Sequence, residues 1–355
     1  MMEHIQAIQS SMRAAGLDAL LLTDPISCRY ATGFFFTDGA VLVTPEKSWL
    51  LTDSRYTEAA SMQVRQSEVR KFTTGHPLSE LVGKLLGDFR GVLAAEADRM
   101  SHAAWADWEQ KLNYTLTPAG TLLNELRRCK DKDEIESMIA AQRIAERALD
   151  DVLGIIRPGL TEKEVAAELS YRMLKYGGEE NSFDPIVVTG AKSSMPHGVP
   201  GEVVIQEGDF VTMDFGTKKN GYCSDMTRTV AVGYVTEEMR TVYNVVLEAQ
   251  LAGIAASRAG VSGKDIDGAA RKVIEDAGYG EYFGHSYGHS LGLEIHETPG
   301  ARPGSSEPMP VGAVVSAEPG IYLPGRFGVR IEDVVIMEEG GCTNITKAPK
   351  ELIVL

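Results

Sequence analysis

The sequence predicts two domains: an α/β domain at the N-terminus and an α+β domain that repeats one structural unit about a pseudo-twofold axis. Two observations support this fold class. In the first 127 residues, short apolar runs that fit strands alternate with amphipathic runs that fit helices. In the remainder, helix starts, helix ends and acidic residues recur together at an offset of about 100 residues.

The N-terminal elements follow from hydrophobic periodicity. A first helix is predicted over residues 2–15, and Ser54 is predicted to cap a helix that ends near Arg65. Three further helices are predicted over residues 78–86, 101–111 and 122–127. Strands are predicted over residues 18–22, 40–43, 49–51, 69–72, 92–95 and 114–117. The first of these strands is expected to end at Asp24-Pro25.

A charged segment, RRCKDKDE from Arg127 to Glu134, indicates the boundary between the domains. It leads directly into a long amphipathic helix, which is predicted over residues 133–156 and is stopped by Pro158-Gly159. The predicted domains are therefore residues 1–127 and 128–355.

The second domain contains an internal repeat, which is first visible in its helix starts. The stretch RPGLTEKEV recurs 101 residues later as RAGVSGKDI. Both stretches contain a capping-box pattern, with Thr161 and Glu164 in the first and Ser262 and Asp265 in the second. Each is expected to begin an amphipathic helix.

The ends of these helices and the strands that follow repeat as well. The helices end at Gly177 and Gly278, and the stretch GDFVTMDFG recurs 104 residues later as GAVVSAEPG. Each half is therefore predicted to be two helices followed by a strand pair that carries an acid in its first strand. Two such halves, facing each other, would bring Asp214 and Glu318 together.

Composition excludes several classes of partner. The chain has 50 acidic and 35 basic residues, a net charge of −15, which disfavours nucleic acid and anionic membranes as partners.

The cysteines and the N-terminal residues indicate the compartment. The four cysteines have no CxxC spacing, which fits free thiols in a reducing compartment. The first residues lack the apolar core of a signal peptide, and no apolar run is long enough to span a bilayer. The sequence predicts a cytoplasmic protein.

Four acidic residues stand within or beside apolar runs that fit buried strands. Asp214 and Asp225 are 11 residues apart, a spacing that suits adjacent antiparallel strands joined by a turn over residues 218–221. Glu318 and Glu332 flank a second hairpin that is rich in Gly and Pro. A buried carboxylate is costly unless it is paired or bound to a metal.

His289 lies between these acids in the sequence, and together the five residues suggest a metal site. Four carboxylates and one imidazole carry too much negative charge to cluster without cations. Two divalent metals, typically about 3.5–4 Å apart, would neutralise them and favour hydrolytic chemistry. Oxygen-rich ligands with one nitrogen favour Mn²⁺, Co²⁺ or Fe²⁺ and tolerate Zn²⁺.

Other polar residues are candidates for contact with a substrate. His197 lies in a loop of Pro and Gly, and His296 follows His289 by seven residues. Either imidazole could donate to a tetrahedral oxyanion or protonate a leaving nitrogen. Arg330 lies two residues before Glu332, so both point to one side of a strand. Arg330 is expected to orient that glutamate or to meet a terminal carboxylate.

At these residues the chain resembles the pita-bread metallopeptidase family, which includes Xaa-Pro dipeptidase (prolidase), Xaa-Pro aminopeptidase and methionine aminopeptidase. The resemblance covers nearly the whole chain and is strongest over residues 181–355. The positions that match the family's metal ligands are Asp214 of MDFG, Asp225 of SDMTRT, His289 of GHSLGLEIHE, Glu318 of AEPGIY and Glu332 of VRIED.

The resemblance also implies roles for residues outside the ligand set. His197 and His296 match the family's substrate-facing histidines, and with Glu318 they are the expected catalytic residues. His285 and Arg330 match positions that proline-specific members use around the substrate. Residues 1–127 resemble the creatinase-type N-terminal domain, which commonly forms a dimer contact. A homodimer is therefore expected, and methionine aminopeptidase is disfavoured.

The chain departs from the family in one place. Where many relatives have Thr-Gly-His-Gly, this chain has Tyr287-Gly288-His289-Ser290. The ligand histidine is kept, so Tyr287 and Ser290 bear on the shape of the pocket rather than on catalysis. Creatinase shares the fold without the metals, and retention of all five ligands argues against that activity.

These features imply a dinuclear metal-dependent peptidase that cleaves Xaa-Pro bonds in dipeptides or short peptides. The peptide bond to proline is a tertiary amide without an N–H group, so a site that polarises its carbonyl with metals needs no contact to that hydrogen. The compact chain favours a dipeptidase. The alternatives are an Xaa-Pro aminopeptidase that acts on longer peptides, a hydrolase of another C–N bond, and a binding protein on the same fold.

Overall fold

The computed structural model describes residues 4–355. It divides into two compact units, one up to Arg127 and the other from Arg128 to Leu355. They are called here the N-terminal unit and the C-terminal unit. None of the helices formed by residues 4–355 is long and apolar enough to cross a membrane.

The N-terminal unit is built on a six-stranded mixed sheet in the order β4-β3-β2-β1-β5-β6. The strands are β1 (Ala19–Leu22), β2 (Gly39–Val43), β3 (Ser48–Thr52), β4 (Glu68–Lys71), β5 (Leu93–Ala95) and β6 (Thr117–Pro118). The helices are α1 (His4–Ala14), α2 (Pro25–Thr32), α3 (Thr57–Gln63), α4 (Leu78–Leu86), α5 (His102–Leu112) and α6 (Leu122–Arg127). Strands and helices alternate as predicted, and α4 and α6 have the predicted bounds.

Two local predictions in this unit are wrong, and one helix was not predicted. Ser54 does not cap a helix, because α3 begins at Thr57. Strand β1 ends before Asp24-Pro25 as predicted, but the same pair also starts helix α2, which was not predicted: the Asp24 carboxylate accepts from the Ser27 N–H at 3.0 Å. The strand predicted over 114–117 is reduced to Thr117–Pro118, because the Leu116 N–H donates to a side chain instead of a strand.

The C-terminal unit contains four long helices and two larger sheets. The helices are α7 (Lys132–Leu153), α8 (Glu162–Lys175), α9 (Glu237–Ala256) and α10 (Gly263–Asp276). One sheet has the order β11-β8-β7 and the other the order β13-β12-β14-β17-β18. These strands are β7 (Ile186–Thr189), β8 (Phe210–Phe215), β11 (Met226–Ala231), β12 (Gly288–Ser290), β13 (Glu297–Ala301), β14 (Val314–Ala317), β17 (Asp333–Glu338) and β18 (Gly341–Asn344).

Two short hairpins extend these sheets. They are formed by β9 (Lys218–Lys219) with β10 (Tyr222–Cys223), and by β15 (Gly320–Leu323) with β16 (Phe327–Arg330). The first turns at Asn220 and Gly221, which both have positive φ (51° and 84°) as a tight hairpin of primed type requires. Each hairpin interrupts an antiparallel pair, β8 with β11 and β14 with β17, close to the acidic residues.

The predicted repeat is present in the order of elements. The first half has α7 and α8 followed by β7, β8 and β11, and the second has α9 and α10 followed by β12, β14 and β17. One hydrophobic cluster packs α7 and α8 on the first sheet, and another packs α9 and α10 on strands of the second. Gly177 and Gly278, which follow α8 and α10, both adopt positive φ (96° and 84°).

The two helix starts of the repeat are similar but not identical. Thr161 and Glu164 form the complete capping box at α8. At α10, Ser262 caps the helix by accepting from the Asp265 N–H at 3.1 Å, but the Asp265 carboxylate accepts from the Ser262 hydroxyl (2.7 Å). The aspartate side chain is one methylene shorter than glutamate, so it reaches the hydroxyl rather than the backbone N–H.

A buried acid in the N-terminal unit generates the first prediction. Glu96 is 5% exposed and accepts a hydrogen bond from the Ser27 hydroxyl. Burial, with a smaller contribution from the charge of Asp24, raises the pKa of Glu96 to about 7. The carboxyl is therefore protonated in the folded state and ionised in the unfolded state between its ordinary pKa and pH 7. The buried Glu96 carboxyl therefore contributes its full share to the free energy of unfolding at low pH, and this contribution is lost as pH rises through 7.

We expect Glu96→Gln to have the stability of the wild type at about pH 4, and to be about 2 kcal/mol more stable at about pH 8. The three tryptophans (residues 49, 105 and 108) all lie in this unit, so denaturant unfolding followed by tryptophan fluorescence reports on it alone. Glu58→Gln, at an exposed acid of α3, serves as the control and should show no pH-dependent difference. Equal stability of E96Q and wild type at pH 8 would contradict the assignment.

Candidate metal centre

A cavity of about 590 Å³ in the C-terminal unit contains every residue that the sequence predicted for the site. The nine predicted residues among those that line it are Asp214, Asp225, His289, Glu318, Glu332, His197, His285, His296 and Arg330. They come from both halves of the repeat. The structure thus brings together residues that are up to 135 positions apart in the sequence, from 197 to 332.

The antiparallel strand pairs place four acids at this cavity. Asp214 lies near the end of β8, and Asp225 lies just before β11. Glu318 lies just after β14, and Glu332 lies just before β17. Each half thus contributes two carboxylates at the point where its strand pair opens into a hairpin. These four residues are called the acid cluster below.

His289, in β12, lies against the acid cluster. Its Nε2 atom is 3.3 Å from Glu318 Oε1 and 3.7 Å from Asp225 Oδ2. Its Nδ1 atom is 3.2 Å from the carbonyl oxygen of Ser290, which fixes Nδ1 as the donor and turns the Nε2 lone pair toward the acids. Asp225, His289 and Glu332 each offer a ligand atom within 4.8 Å of the other two.

The acid cluster is electrostatically unfavourable by itself. Burial, followed by the charges of the neighbouring carboxylates, raises the pKa of Asp225 and of Glu332 well above ordinary values. Burial likewise raises the pKa of Glu318 to about 7. Burial also lowers the pKa of His289, which keeps the imidazole neutral and able to act as a ligand. The cluster therefore requires added positive charge to be ionised.

The donor atoms fit divalent cations. Within residues 4–355, Asp214 Oδ1 and Asp225 Oδ1 are buried oxygen atoms without a hydrogen-bond partner. Buried polar atoms normally have a partner, so two orphaned carboxylate oxygens that point into one cavity indicate a missing ligand. A set of carboxylate oxygens with one imidazole nitrogen is the donor set that Mn²⁺ and related ions accept.

Hydroxyl groups hold the ligand side chains in place. Thr227 Oγ1 donates to Glu332 Oε2 at 2.7 Å. Ser316 Oγ donates to Glu318 Oε1 at 3.0 Å and accepts from the His289 backbone N–H at 3.0 Å. The sequence analysis did not single out either residue. Strand alternation could have found Thr227, which lies two residues after Asp225 and therefore faces the same side.

Arg330 pairs directly with Asp214 rather than with Glu332, which was one of its two expected partners. Its Nη2 donates to Asp214 Oδ2 at 2.6 Å, and it reaches Glu332 only through Thr227, to which its Nε donates at 3.1 Å. Its Nη1 donates to the Pro196 carbonyl and the Tyr322 hydroxyl at 3.2 and 2.9 Å. The side chain is 4% exposed, so the guanidinium is occupied by protein acceptors.

His285 belongs to the cavity wall. Its Nδ1 donates to the Ser286 carbonyl at 2.8 Å, so its Nε2 accepts from the Tyr322 hydroxyl at 2.8 Å. Burial lowers the pKa of His285 to about 4, so the ring is neutral at neutral pH. Tyr322 links His285 to Arg330 through its hydroxyl group. The sequence analysis did not predict Tyr322 as a residue of the site.

The two predicted substrate-facing histidines also line the cavity. His197 is exposed and lies in the loop after β7. His296 packs edge-on against His289, with ring centroids 4.4 Å apart. Both rings therefore border the space next to the acid cluster.

Tyr287 and Ser290, where the chain departs from the family pattern, lie outside the cavity lining. Tyr287 is buried against Gly253, where an added Cβ would lie 2.2 Å from the tyrosine ring, and its hydroxyl donates to the Gln250 carbonyl at 2.9 Å. Ser290 is fully buried in β12. The expectation that these residues bear on the pocket is wrong, because both side chains pack into the core.

Comparison with known proteins gives matches along nearly the whole chain. Residues 136–339 match the model of metallopeptidase family M24, and residues 4–129 match the creatinase/prolidase N-terminal domain. The Xaa-Pro dipeptidase of Pyrococcus furiosus is 34% identical, over 99% of this chain and 100% of that protein. The structure of an Xaa-Pro dipeptidase from Bacillus anthracis has a TM-score of 0.95 and 42% identity, covering 99% of each chain. An X-Pro aminopeptidase structure from Thermotoga maritima has a TM-score of 0.93 and 37% identity, covering 98% of this chain and 100% of its own.

The electrostatics of the acid cluster predict opposite effects of one substitution with and without metal. In protein treated with excess chelator, Asp225→Asn removes a buried charge, so we expect the melting temperature of the C-terminal unit to rise by about 2–4 °C. Addition of Mn²⁺ should raise the wild-type melting temperature by roughly 5–10 °C, because the ion binds only the folded state. D225N should lose most of that gain. Differential scanning calorimetry measures both effects.

Asp184→Asn provides the matched control, because Asp184 lines the same cavity but is exposed. D184N should respond to chelator and to Mn²⁺ as the wild type does. A full Mn²⁺-induced shift in D225N would show that Asp225 does not bind the ion.

Proposed function

Since the chain belongs to metallopeptidase family M24 and carries a creatinase/prolidase N-terminal domain, we propose that it is an Xaa-Pro dipeptidase. It would hydrolyse the peptide bond before proline in dipeptides or short peptides. The observation that supports this most is the convergence of the acid cluster and His289 on one cavity. Similarity to Xaa-Pro dipeptidases over 99% of the chain supports the substrate class.

The acid cluster and His289 would hold two divalent cations, Mn²⁺ in preference, with Co²⁺, Fe²⁺ or Zn²⁺ as alternatives. When bound, such ions supply Lewis acidity, which polarises a carbonyl group and makes hydroxide available near neutral pH. Asp214 is pre-oriented for this role by Arg330, and Glu332 by Thr227.

Three residues would handle protons during hydrolysis. Glu318 borders the cavity with one oxygen on Ser316, and it would take the proton of the attacking water at a carboxylate oxygen. His197 and His296 would donate N–H groups, one to the developing oxyanion and the other to the departing proline nitrogen. Their positions in the same cavity as the acid cluster support these roles.

The cavity suits a small substrate with an apolar ring. Its volume of about 590 Å³ is in the range of small-molecule sites. The side chains of Phe183, Ile186 and Ile295 line it beside the polar residues and would contact the proline ring. Because Xaa-Pro bonds lack an N–H group, recognition by ring shape and by the carbonyl requires no backbone donor from the substrate.

We propose further that residues 1–127 form the creatinase-type domain and the contact of a homodimer, and that residues 128–355 form the catalytic domain of a cytoplasmic enzyme. The match of residues 4–129 to the N-terminal domain supports the first assignment. An Xaa-Pro aminopeptidase that acts on longer peptides is the second candidate. The similarity to the X-Pro aminopeptidase of Thermotoga maritima favours it.

Peptide assays separate these functions. We expect the Mn²⁺-loaded protein to hydrolyse Ala-Pro faster than Ala-Pro-Ala and to leave Ala-Ala intact. Glu332→Ala should lower kcat/KM for Ala-Pro by about 10³-fold or more, because it removes a ligand of the acid cluster. Glu339→Ala, an exposed acid just beyond β17, should retain wild-type activity.

Faster cleavage of Ala-Pro-Ala would favour the aminopeptidase. Failure to cleave either peptide with bound Mn²⁺, or full activity of E332A, would reject the proposal.

A further inference from the structure

Residues 190–201 form the first part of the connection between β7 and β8, and they are called the loop here. The loop carries His197 and is anchored by a buried carboxylate outside the cavity. This carboxylate belongs to Glu162, the first residue of α8, and it is fully buried. Its Oε1 accepts from the Thr189 N–H at 2.9 Å, immediately before the loop. Its Oε2 accepts from the Gly201 N–H at 3.0 Å, at the loop's end. One side chain therefore joins both ends of the loop.

A partly exposed lysine, Lys192, completes the anchor. Lys192 Nζ donates to Glu162 Oε2 at 2.5 Å and to the Val199 carbonyl at 2.7 Å, so it connects the early and late parts of the loop. The Glu162 side chain is 0% exposed, and that of Lys192 is 23% exposed. A charge-assisted network of this kind is costly to break, because loss of one partner leaves a buried charge unpaired.

Helix capping does not account for Glu162. The start of α8 is already capped by Thr161 and Glu164, which form a reciprocal capping box. The hydrogen bonds of the Glu162 carboxylate all go to residues 189, 192 and 201. Its interactions therefore serve the loop rather than its own helix.

The loop backbone determines where His197 lies. Within the described residues, the His197 imidazole has no hydrogen bond that would hold it. Its neighbour Pro196 is fixed through its carbonyl by Arg330, and Ser193 accepts from the Gly328 N–H at 2.9 Å. These contacts hold the middle of the loop, and Glu162 with Lys192 holds its ends.

We infer that Glu162 is a positioning residue for His197. Through the backbone of residues 189–201, Glu162 and Lys192 set the distance of the imidazole from the acid cluster. The inference rests on the proposed catalytic role of His197. A displacement of about 1 Å in a catalytic group can cost about 10²-fold in rate, so an anchor remote from the chemistry can control kcat.

The test uses the full-length, Mn²⁺-loaded protein with Ala-Pro as substrate. Glu162→Gln keeps the shape but removes the charge and one acceptor, and we expect kcat to fall about 10- to 100-fold with KM and metal content little changed. Lys192→Met should act in the same direction. Glu164→Ala, two residues further along the same helix, breaks the capping box without touching the loop. It should lower the melting temperature yet leave kcat within about twofold of wild type.

A double-mutant cycle with His197→Ala distinguishes positioning from general destabilisation. If Glu162 acts through His197, E162Q should cost less than about twofold in kcat in the H197A background. The same loss in both backgrounds, or wild-type kcat in E162Q, would overturn the inference. Should E162Q fail to fold, K192M provides the same cycle, because Lys192 is partly exposed.

Hydrogen exchange gives a readout that needs no activity. Amides of residues 189–201 should exchange faster in E162Q and K192M than in wild type or E164A. Unchanged exchange would overturn the inference. Faster exchange in a protein that does not cleave Ala-Pro would support the anchor and reject only the proposed function.

Discussion

The mutual repulsion of four carboxylates in one buried cavity is the constraint on which the C-terminal unit depends. Each member of the acid cluster is costly to bury, and their proximity increases that cost. Arg330 offsets part of the charge at Asp214, and His289 is neutral. The remaining negative charge gives the folded protein an affinity for divalent cations. Metal binding and folding of this unit are thus coupled through the same side chains.

The rest of the unit can be understood as the scaffold that keeps these charges together. Two copies of a helix–helix–sheet unit each pack their own hydrophobic cluster. Each then opens its central strand pair into a hairpin at the point where the acids lie. Hydroxyl groups at Thr227 and Ser316 orient individual carboxylates. The ion pair of Glu162 with Lys192 holds the loop that carries His197. Burial of these charged groups lowers the stability of the unit but fixes the geometry of the site, which is typical of preorganised sites.

The sequence was sufficient to predict the fold class and the acidic and histidine residues of the site, because both depend on local patterns. An acid inside an apolar run, such as Asp214 or Glu332, is conspicuous, and hairpin spacing shows which acids are neighbours. The partners of Arg330 were not predictable, because Asp214 is 116 residues away and its approach depends on tertiary packing. The position of the Tyr287 side chain was not predictable for the same reason. Its neighbour in sequence lines the cavity, but the Tyr287 ring packs in the core, in the space that Gly253 leaves by having no side chain.

The most direct measurement is anomalous X-ray scattering from crystals of the Mn²⁺-loaded protein. Two manganese peaks about 3.5–4 Å apart, within ligand distance of the acid cluster and His289, are expected if these residues hold a pair of cations. A single peak elsewhere, or no peak in the cavity at saturating Mn²⁺, would contradict the account.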